Sequence, residues 1–516
     1  MTDEKEQAPK LGGRIEGGFD AIVIGASLDA LAAAGLLGKA GLKTILLGAG
    51  GPALDDERRE FAPGFFCIDG EHLVTHLDPA LAETLELYRH GLSFASRRID
   101  TVYYFSDDGA LHMDGDLYNT RESIAAMTED DADAYAEFLE AALDAARALR
   151  PFFDAAPAPA LSEPLSSAAE RFLSASVDDI VESTFTDWRL KALLSAEASL
   201  RSGLRPSEPF GFASLIRRWA GEAAGLQGAA AYPVDGARGV KMALRRAAQA
   251  GGVDFRPSTG VRRVLVEWDA VAGVETTDGG QIRAPIIVSA LPARKAFIDF
   301  IGPSKLDIEF QMALASEKPR IASAWVNFAL TGEPSDERTR ANLARRLVYA
   351  PDQDELRRAY SAARRGEVEA PLIMEALIPS AFDKALAPEK GHVVSAIAHP
   401  VPFSEEPDAR LTKRIKEAAR KTFERMAPGA TGRIVAVDVR LPADEAAASG
   451  APAEGFAATS SMIEMWARAR KLAGASRIEG YYFCGPEAEI GPAASGAAGR
   501  RAAEAAMRYS RKKAAA

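Results

Sequence analysis

Apolar and polar positions divide this chain into blocks of different period. Ala21 to Ile24 is a short apolar run ending at Gly25, the pattern of a parallel strand buried on both faces. Leu28 to Ala40 is rich in alanine and leucine and is followed by Gly41, which predicts a helix with a glycine cap. Lys43 to Leu47 is a second apolar run, so about thirty residues make one β-α-β unit. From Asp78 to Gly225 helical spacing dominates, broken by the strand-like DTVYYFS and a proline-rich stretch at 156–164. Within it, AMTEDDADAYAEFLEAALDAARALRPFF has an amphipathic helical period with an acidic start and a basic end. From Val253 the period shortens to that of strands, with Asp278-Gly279-Gly280 as a turn, and predicts a small β layer.

Residues 302–455 mix strands (SAWVNFAL, GHVVSAIAHPV) with helices (RLTKRIKEAARKTFERM). The end of the chain returns to a strand, GYYFCG, then a glycine-alanine loop and a helix. A nucleotide-type unit at the front and a loop-to-helix element at the back predict one domain assembled from distant segments. The boundaries read as a disordered tail at 1–18, a first domain at 19–77, 226–301 and 456–510, and a second at 78–225 and 302–455. At 516 residues, two or more domains are favoured.

Composition narrows the function classes. The chain is 47% hydrophobic and 26% charged, ordinary for a globular protein, and its net charge of −11 disfavours nucleic acid as a partner. Its two cysteines, Cys67 and Cys484, form no CxxC motif; they argue against a dithiol centre or a cysteine zinc site and for a reducing, cytoplasmic location. The first eighteen residues lack the apolar core of a signal peptide. Residues 21–40 have the length of a membrane span, but Asp29 at their centre favours a strand, loop and helix.

An ordered series of motifs resembles a known family: FDAIVIGAS, EFAPGF with LYRHGL, YPVDGARG, GVRRVLVE with IIVSA, LAPEKGHVVS, and YYFCGPEAEIGPAASGAAGRRAA. Across residues 19–507 the chain is similar to the phytoene dehydrogenase-like FAD-dependent oxidoreductases, in the branch named for a pyridine nucleotide-disulfide oxidoreductase domain. The resemblance implies an α/β fold of amine oxidase/phytoene desaturase type: a discontinuous FAD/NAD(P)-binding Rossmann-type domain with an inserted α+β substrate domain. It also implies FAD as cofactor and hydride abstraction from a C–H bond of an apolar or amine-like small molecule. By the same resemblance Gly25, Ala26, Ser27 and Leu28 face the pyrophosphate, Val261 lies beside the adenine, and Gly485, Ala494, Ser495 and Gly496 lie at the ribityl and flavin end. It names no catalytic residue.

The chain departs from that family where cofactor should lie. In GxGxxG the first glycine makes the turn, the second admits the pyrophosphate and the third lets helix and strand pack closely. Here Gly25 stands first, Ser27 second and Ala30 third. At the end of the second strand, where the family holds the ribose with a glutamate, stands Gly48; losing such a charge-assisted hydrogen bond costs about 1.5–3 kcal/mol. Glu487 and Glu489 add negative charge near the C-terminal loop, and Pro492 lacks a backbone donor. Backbone donors at a helix start still suit a dinucleotide, and Asp55, Asp56 or Ser27 could replace the missing acceptor. Two readings stay open. One is a flavoprotein oxidoreductase, in which Ser27→Gly with Gly48→Glu would raise FAD affinity. The other is a flavin-free relative that binds a ligand or partner, or serves as the inactive subunit of a heteromer.

Other features read more plainly. His72 and His76 are spaced for one helix face but have no third ligand nearby, so no metal is expected. His392 and His399 flank an apolar run and read as packing residues. Eight arginines between Arg338 and Arg365 read as a solvated helical face, the alternative being a docking surface for a partner or membrane headgroups; a homo- or hetero-oligomer stays open for the chain as a whole. Trp188, Phe210, Phe212, Trp219, Trp325 and Trp466 read mainly as core, some of them lining an apolar pocket.

Overall fold

The computed structural model describes residues 15–48, 58–67, 72–154, 165–314, 319–335, 337–449, 478–488 and 495–515. Two sheets organise them. In the first, five parallel strands lie side by side in the order Asp254–Glu267, Thr44–Gly48, Ala21–Ile24, Ile287–Ser289 and Tyr481–Phe483. The strand Asp254–Glu267 continues beyond this layer and turns back through Ala270–Thr276 and Gln281–Arg283 as an antiparallel meander. Ile15 and Glu16, assigned to a disordered tail from sequence, instead add a parallel strand to its outer edge.

The strands at 21–24 and 44–48 are buried throughout, as continuous apolar runs between two covered faces require. One face carries the helix Leu28–Lys39, flanked by Gly236–Ala250 and Ala497–Ala515. Residues 30–34 of the first helix are alanines and a leucine, all fully buried, and small side chains let three helices crowd onto one sheet face. The other face packs on Phe297, Phe300 and the meander.

The second sheet has seven strands in the order Ile434–Arg440, Ile321–Leu330, His392–Pro402, Ile373–Leu377, Arg346–Tyr349, Thr101–Tyr104 and Ala110–Met113. Alternation sorts its side chains between two cores. Val102, Tyr104, Leu347 and Tyr349 meet the helix Ala409–Met426, whereas Tyr103 and Val348 meet a helical layer that includes Ala132–Asp154, Trp188–Ser199 and Ala213–Ala220. Edge-to-face contacts of Phe138 with Phe172, Phe185 and Phe212 join those helices. Phe212 and Trp219 thus lie in or against core, while Trp188 is partly exposed and Trp466 lies outside the described residues.

Candidate functional site

All five parallel strands run toward one edge, the position at which open α/β sheets bind ligands. The loop at residues 25–28 leaves the central strand there. Gly25 is buried with φ of +118° and its N–H donates to Leu47 O at 2.9 Å, a conformation that only glycine adopts readily. Ala26, Ser27 and Leu28 are half-buried at the lip of the edge. Ser27 caps the helix: its Oγ accepts from Ala30 N at 3.2 Å. That bond occupies one of the terminal N–H donors that would otherwise face an anion.

The two ends of the chain meet at this loop. Gly499, in the first turn of the last helix, donates its N–H to the buried Asp29 Oδ1 at 2.9 Å. Gly496 has φ of +84°, and a Cβ there would lie 2.3 Å from Leu81 and 3.1 Å from Leu28. Ser495 is buried; its carbonyl accepts from Asp78 N at 3.0 Å, and Asp78 Oδ2 accepts from Arg500 at 2.8 Å. Gly485 follows the last parallel strand, where a Cβ would meet Leu291 O at 2.0 Å. Val261 is buried in the meander core opposite Thr276. Eight of the nine sequence-predicted cofactor residues are therefore described, most of them near one sheet edge; Ala494, with Asp55, Asp56, Glu489 and Pro492, lies outside the described residues.

The residues present fit the pyrophosphate of a dinucleotide, since a tight glycine turn and the starts of two helices converge there. At the end of the second strand, the described residues place Gly48 where a ribose carboxylate is expected. Gly48 lies so close to the neighbouring strand that a Cβ on it would sit 1.8 Å from Pro257 O. The strand register slips between Arg256 and Gly260, which brings the Pro257 carbonyl over this position. The site of the expected glutamate is closed by backbone, so Gly48→Glu cannot restore it; the sequence expectation of a simple rescue fails on this geometry. Glu487 Oε2 accepts from Ala293 N at 3.0 Å.

A second concave feature lies between the seven-stranded sheet and the helical layer. It is a cavity of about 650 Å³ with both charged and apolar walls. At its charged wall, Arg346 reaches Glu197 through two bonds, Nη1 to Oε1 at 2.6 Å and Nη2 to Oε2 at 3.1 Å, and Glu375 at 3.0 Å. Tyr103 Oη and Arg218 also donate to Glu197. Burial alone would raise the Glu197 carboxyl, but Arg218 and Arg346 outweigh it and hold it well below the usual range. Glu375 follows the same balance, burial being overcome by Arg346 and Arg201. Burial and then Glu197 push the Tyr103 hydroxyl well up, so it stays protonated and donating.

Sequence reasoning missed this cluster. Arg346 was grouped with a solvated helical face, yet it opens a strand and is 6% exposed. The other members of that run on the helix Gln353–Arg364 do face solvent, paired with Asp354 and Glu369. His76 is likewise buried, its Nδ1 accepting from Glu222 N at 3.0 Å. No helix among the described residues is long and apolar enough to cross a membrane.

No protein-family model matches the chain. Among curated relatives, pyridine nucleotide-disulfide oxidoreductase domain-containing protein 2 of Mus musculus is 25% identical over 551 residues, covering 96% of this chain and 94% of its own. Its counterpart in Rattus norvegicus is 25% identical, covering 94% and 92%. Among solved structures, a redesigned putrescine oxidase aligns with a TM-score of 0.60 at 16% identity over 96% of this chain and 99% of its own. Cyclohexylamine oxidase from Brevibacterium oxydans IH-35A gives 0.57 at 16% identity over 96% and 99%. An oxidoreductase from Methanosarcina mazei gives 0.59 at 16% identity over 95% and 100%. The fold is that of the FAD-dependent amine oxidases. The parallel sheet with its meander is consistent with the Rossmann-type part of that fold, and Gly25, Asp29 and Gly499 meet at one edge of it.

Proposed function

We propose that the chain is an oxidoreductase of FAD type, with an adenine dinucleotide along the edge formed by Gly25 to Leu28 and Ser495 to Gly499. The observation that carries this reading is the 2.9 Å bond from Gly499 N to Asp29 Oδ1, which fixes the starts of two helices against one glycine turn. Bound flavin would supply the acceptor for a hydride from a C–H bond of the substrate. The chain's own part is to present backbone donors to the pyrophosphate, with Asp29 holding the last helix in register and Ser27 setting the start of the first. An amine-type substrate is in keeping with the putrescine and cyclohexylamine oxidases among the structural neighbours, whereas a phytoene-type substrate rests on the sequence resemblance alone.

The closure of the ribose position by Pro257 favours a second reading, a flavin-free protein that keeps the scaffold to bind a ligand or partner. FAD titration of the purified chain separates the two. The oxidoreductase reading expects flavin absorption bands to co-elute with the protein and the melting temperature to rise with FAD concentration. A colourless chain whose melting temperature ignores FAD overturns that reading and leaves the binding protein.

A further inference from the structure

The cavity between the seven-stranded sheet and the helical layer is lined in part by hydroxyl groups that have no partner among the described residues. We propose that it binds an uncharged ligand, an apolar body carrying one alcohol, with the alcohol at Tyr135, Thr101 and Thr120 and the body along Leu139, Leu193 and Trp219. The site stands whether or not the chain holds flavin.

The first argument is hydrogen-bond capacity. Tyr135, Thr101 and Thr120 line the cavity and are 5%, 8% and 4% exposed. Among the described residues none of their hydroxyls has a hydrogen-bond partner, and none is sealed inside the protein as the Ser195 hydroxyl is. The Tyr135 hydroxyl lies within reach of the Glu197 charge: burial and then Glu197 push it well up, so it is protonated at neutral pH and able to donate. Thr101 pairs across the sheet with Arg346 and, two residues from Tyr103, projects from the same face toward the helical layer. Thr120 stands one turn before the core residue Ile124 on the helix Leu117–Ala125. A buried hydroxyl without a partner is costly, so a ligand that answers these groups is stabilised by them. An alcohol does so in both directions, accepting from Tyr135 and donating to a threonine.

The second argument is that the charges of the wall answer one another. Glu197 receives Arg346 twice, Arg218 and Tyr103, which fills a carboxylate's capacity, and Glu375 receives Arg346. Arg98 donates to Gly115 O and Arg147 to Asp144, and Arg201 and Arg217 are engaged as well. A charged head entering the inner wall would lose its water without gaining an unpaired counter-charge, a cost that an uncharged head does not meet.

The third argument is shape. Met113, Leu139, Leu143, Leu193 and Trp219 supply apolar wall, and about 650 Å³ lies within the range of small-molecule sites. The rings of Tyr135 and Trp219 both pack on Phe138, with centroids 6.4 and 6.2 Å from it, so one aromatic cluster fixes a polar and an apolar part of the wall together. A wall held in place in this way costs little ordering when a ligand enters.

Calorimetric titration of the full chain, without added FAD, tests the proposal with four eight-carbon probes: 1-octanol, octanoate, octylamine and heptyl methyl ether, the isomer of octanol that lacks an O–H. Octanol is expected to saturate one site at least tenfold more tightly than octanoate or octylamine and severalfold more tightly than the ether. Tyr135→Phe should weaken octanol severalfold without lowering the melting temperature, because the hydroxyl it removes has no partner to lose. Leu143→Trp, which fills apolar space without touching a charge, should weaken octanol at least tenfold, and circular dichroism melts confirm that both variants fold. Any of the other three probes binding as tightly as octanol, absence of saturable heat, a lower melting temperature for Tyr135→Phe, or either variant binding octanol like the parent would each overturn the assignment. None of these results depends on flavin, so failure here is distinct from failure of the FAD titration.

Discussion

Gly48 shows how one residue can mislead when read as an isolated loss. In the sequence it looks like a glutamate position that mutated to nothing. In the fold it is the only residue type that lets the strand Asp254–Glu267 pass, because Pro257 O occupies the place of its Cβ at 1.8 Å. Gly48→Ala should therefore lower stability by about 1–3 kcal/mol through overpacking, read as a shift in the urea midpoint with unchanged slope. Gly48→Glu should do at least as much harm and give no gain in FAD affinity. An alanine variant as stable as the parent would refute the close approach. Arg346 is the complementary case: in sequence it is one of a doublet in an arginine-rich run, and only pairing of its strand with Thr101–Tyr104 turns it inward to Glu197.

At the scale of elements, the closing helix Ala497–Ala515 depends on the opening one. Gly499 sits against the backbone of Asp29, where a Cβ would come within 2.2 Å of its carbonyl oxygen. Gly499→Ala should push the helices apart, costing about 1–3 kcal/mol. Limited proteolysis should then cut at the start of the helix Ala497–Ala515 faster than in the parent; equal cutting rates would show that the contact tolerates the extra methyl. These elements were legible from period and composition, since Ala21–Ile24, Leu28–Lys39, Ile321–Leu330, His392–Pro402 and Ala409–Met426 fall where apolar runs and amphipathic spacing put them. The candidate site was legible only in part. The glycine turn at Gly25 is legible because its pattern is local. The register slip over Gly48 and the arginine cavity are made by strand neighbours far apart in the chain, and no local period encodes them.

For the molecule as a whole, the helical layer is fastened to the second sheet by a buried neutral histidine. His399 lies in the strand His392–Pro402 and is fully buried. Its Nε2 is 2.9 Å from Tyr360 Oη, its Nδ1 is 3.1 Å from Ser323 Oγ, and Tyr360 Oη donates to Ser199 O at 2.9 Å, at the end of the helix Trp188–Ser199. One proton arrangement meets all three contacts: Nε2–H donates to Tyr360, Tyr360 donates to the carbonyl, and Ser323 donates to Nδ1. A second proton on the ring would break the last of these. Burial, with Arg201 adding repulsion, pushes the imidazole down to about 3. An unfolded histidine titrates near 6.5, so below that pH the unfolded chain takes up a proton that the folded chain refuses. Stability present above about pH 6.5 is then lost as pH falls, at up to about 1.4 kcal/mol per unit for this one group. Glu197 and Glu375, held low in the folded state, add their loss only below the ordinary carboxylate range, and the comparison with a His399 variant separates this histidine from the rest of the chain. Urea midpoints at about pH 7, 6 and 5 should decline in the parent chain, and His399→Gln should flatten that decline while lowering the midpoint at pH 7. If the variant kept the parent's slope, the proton would be taken up elsewhere, and the fastening between sheet and helices would not be the element that acid releases.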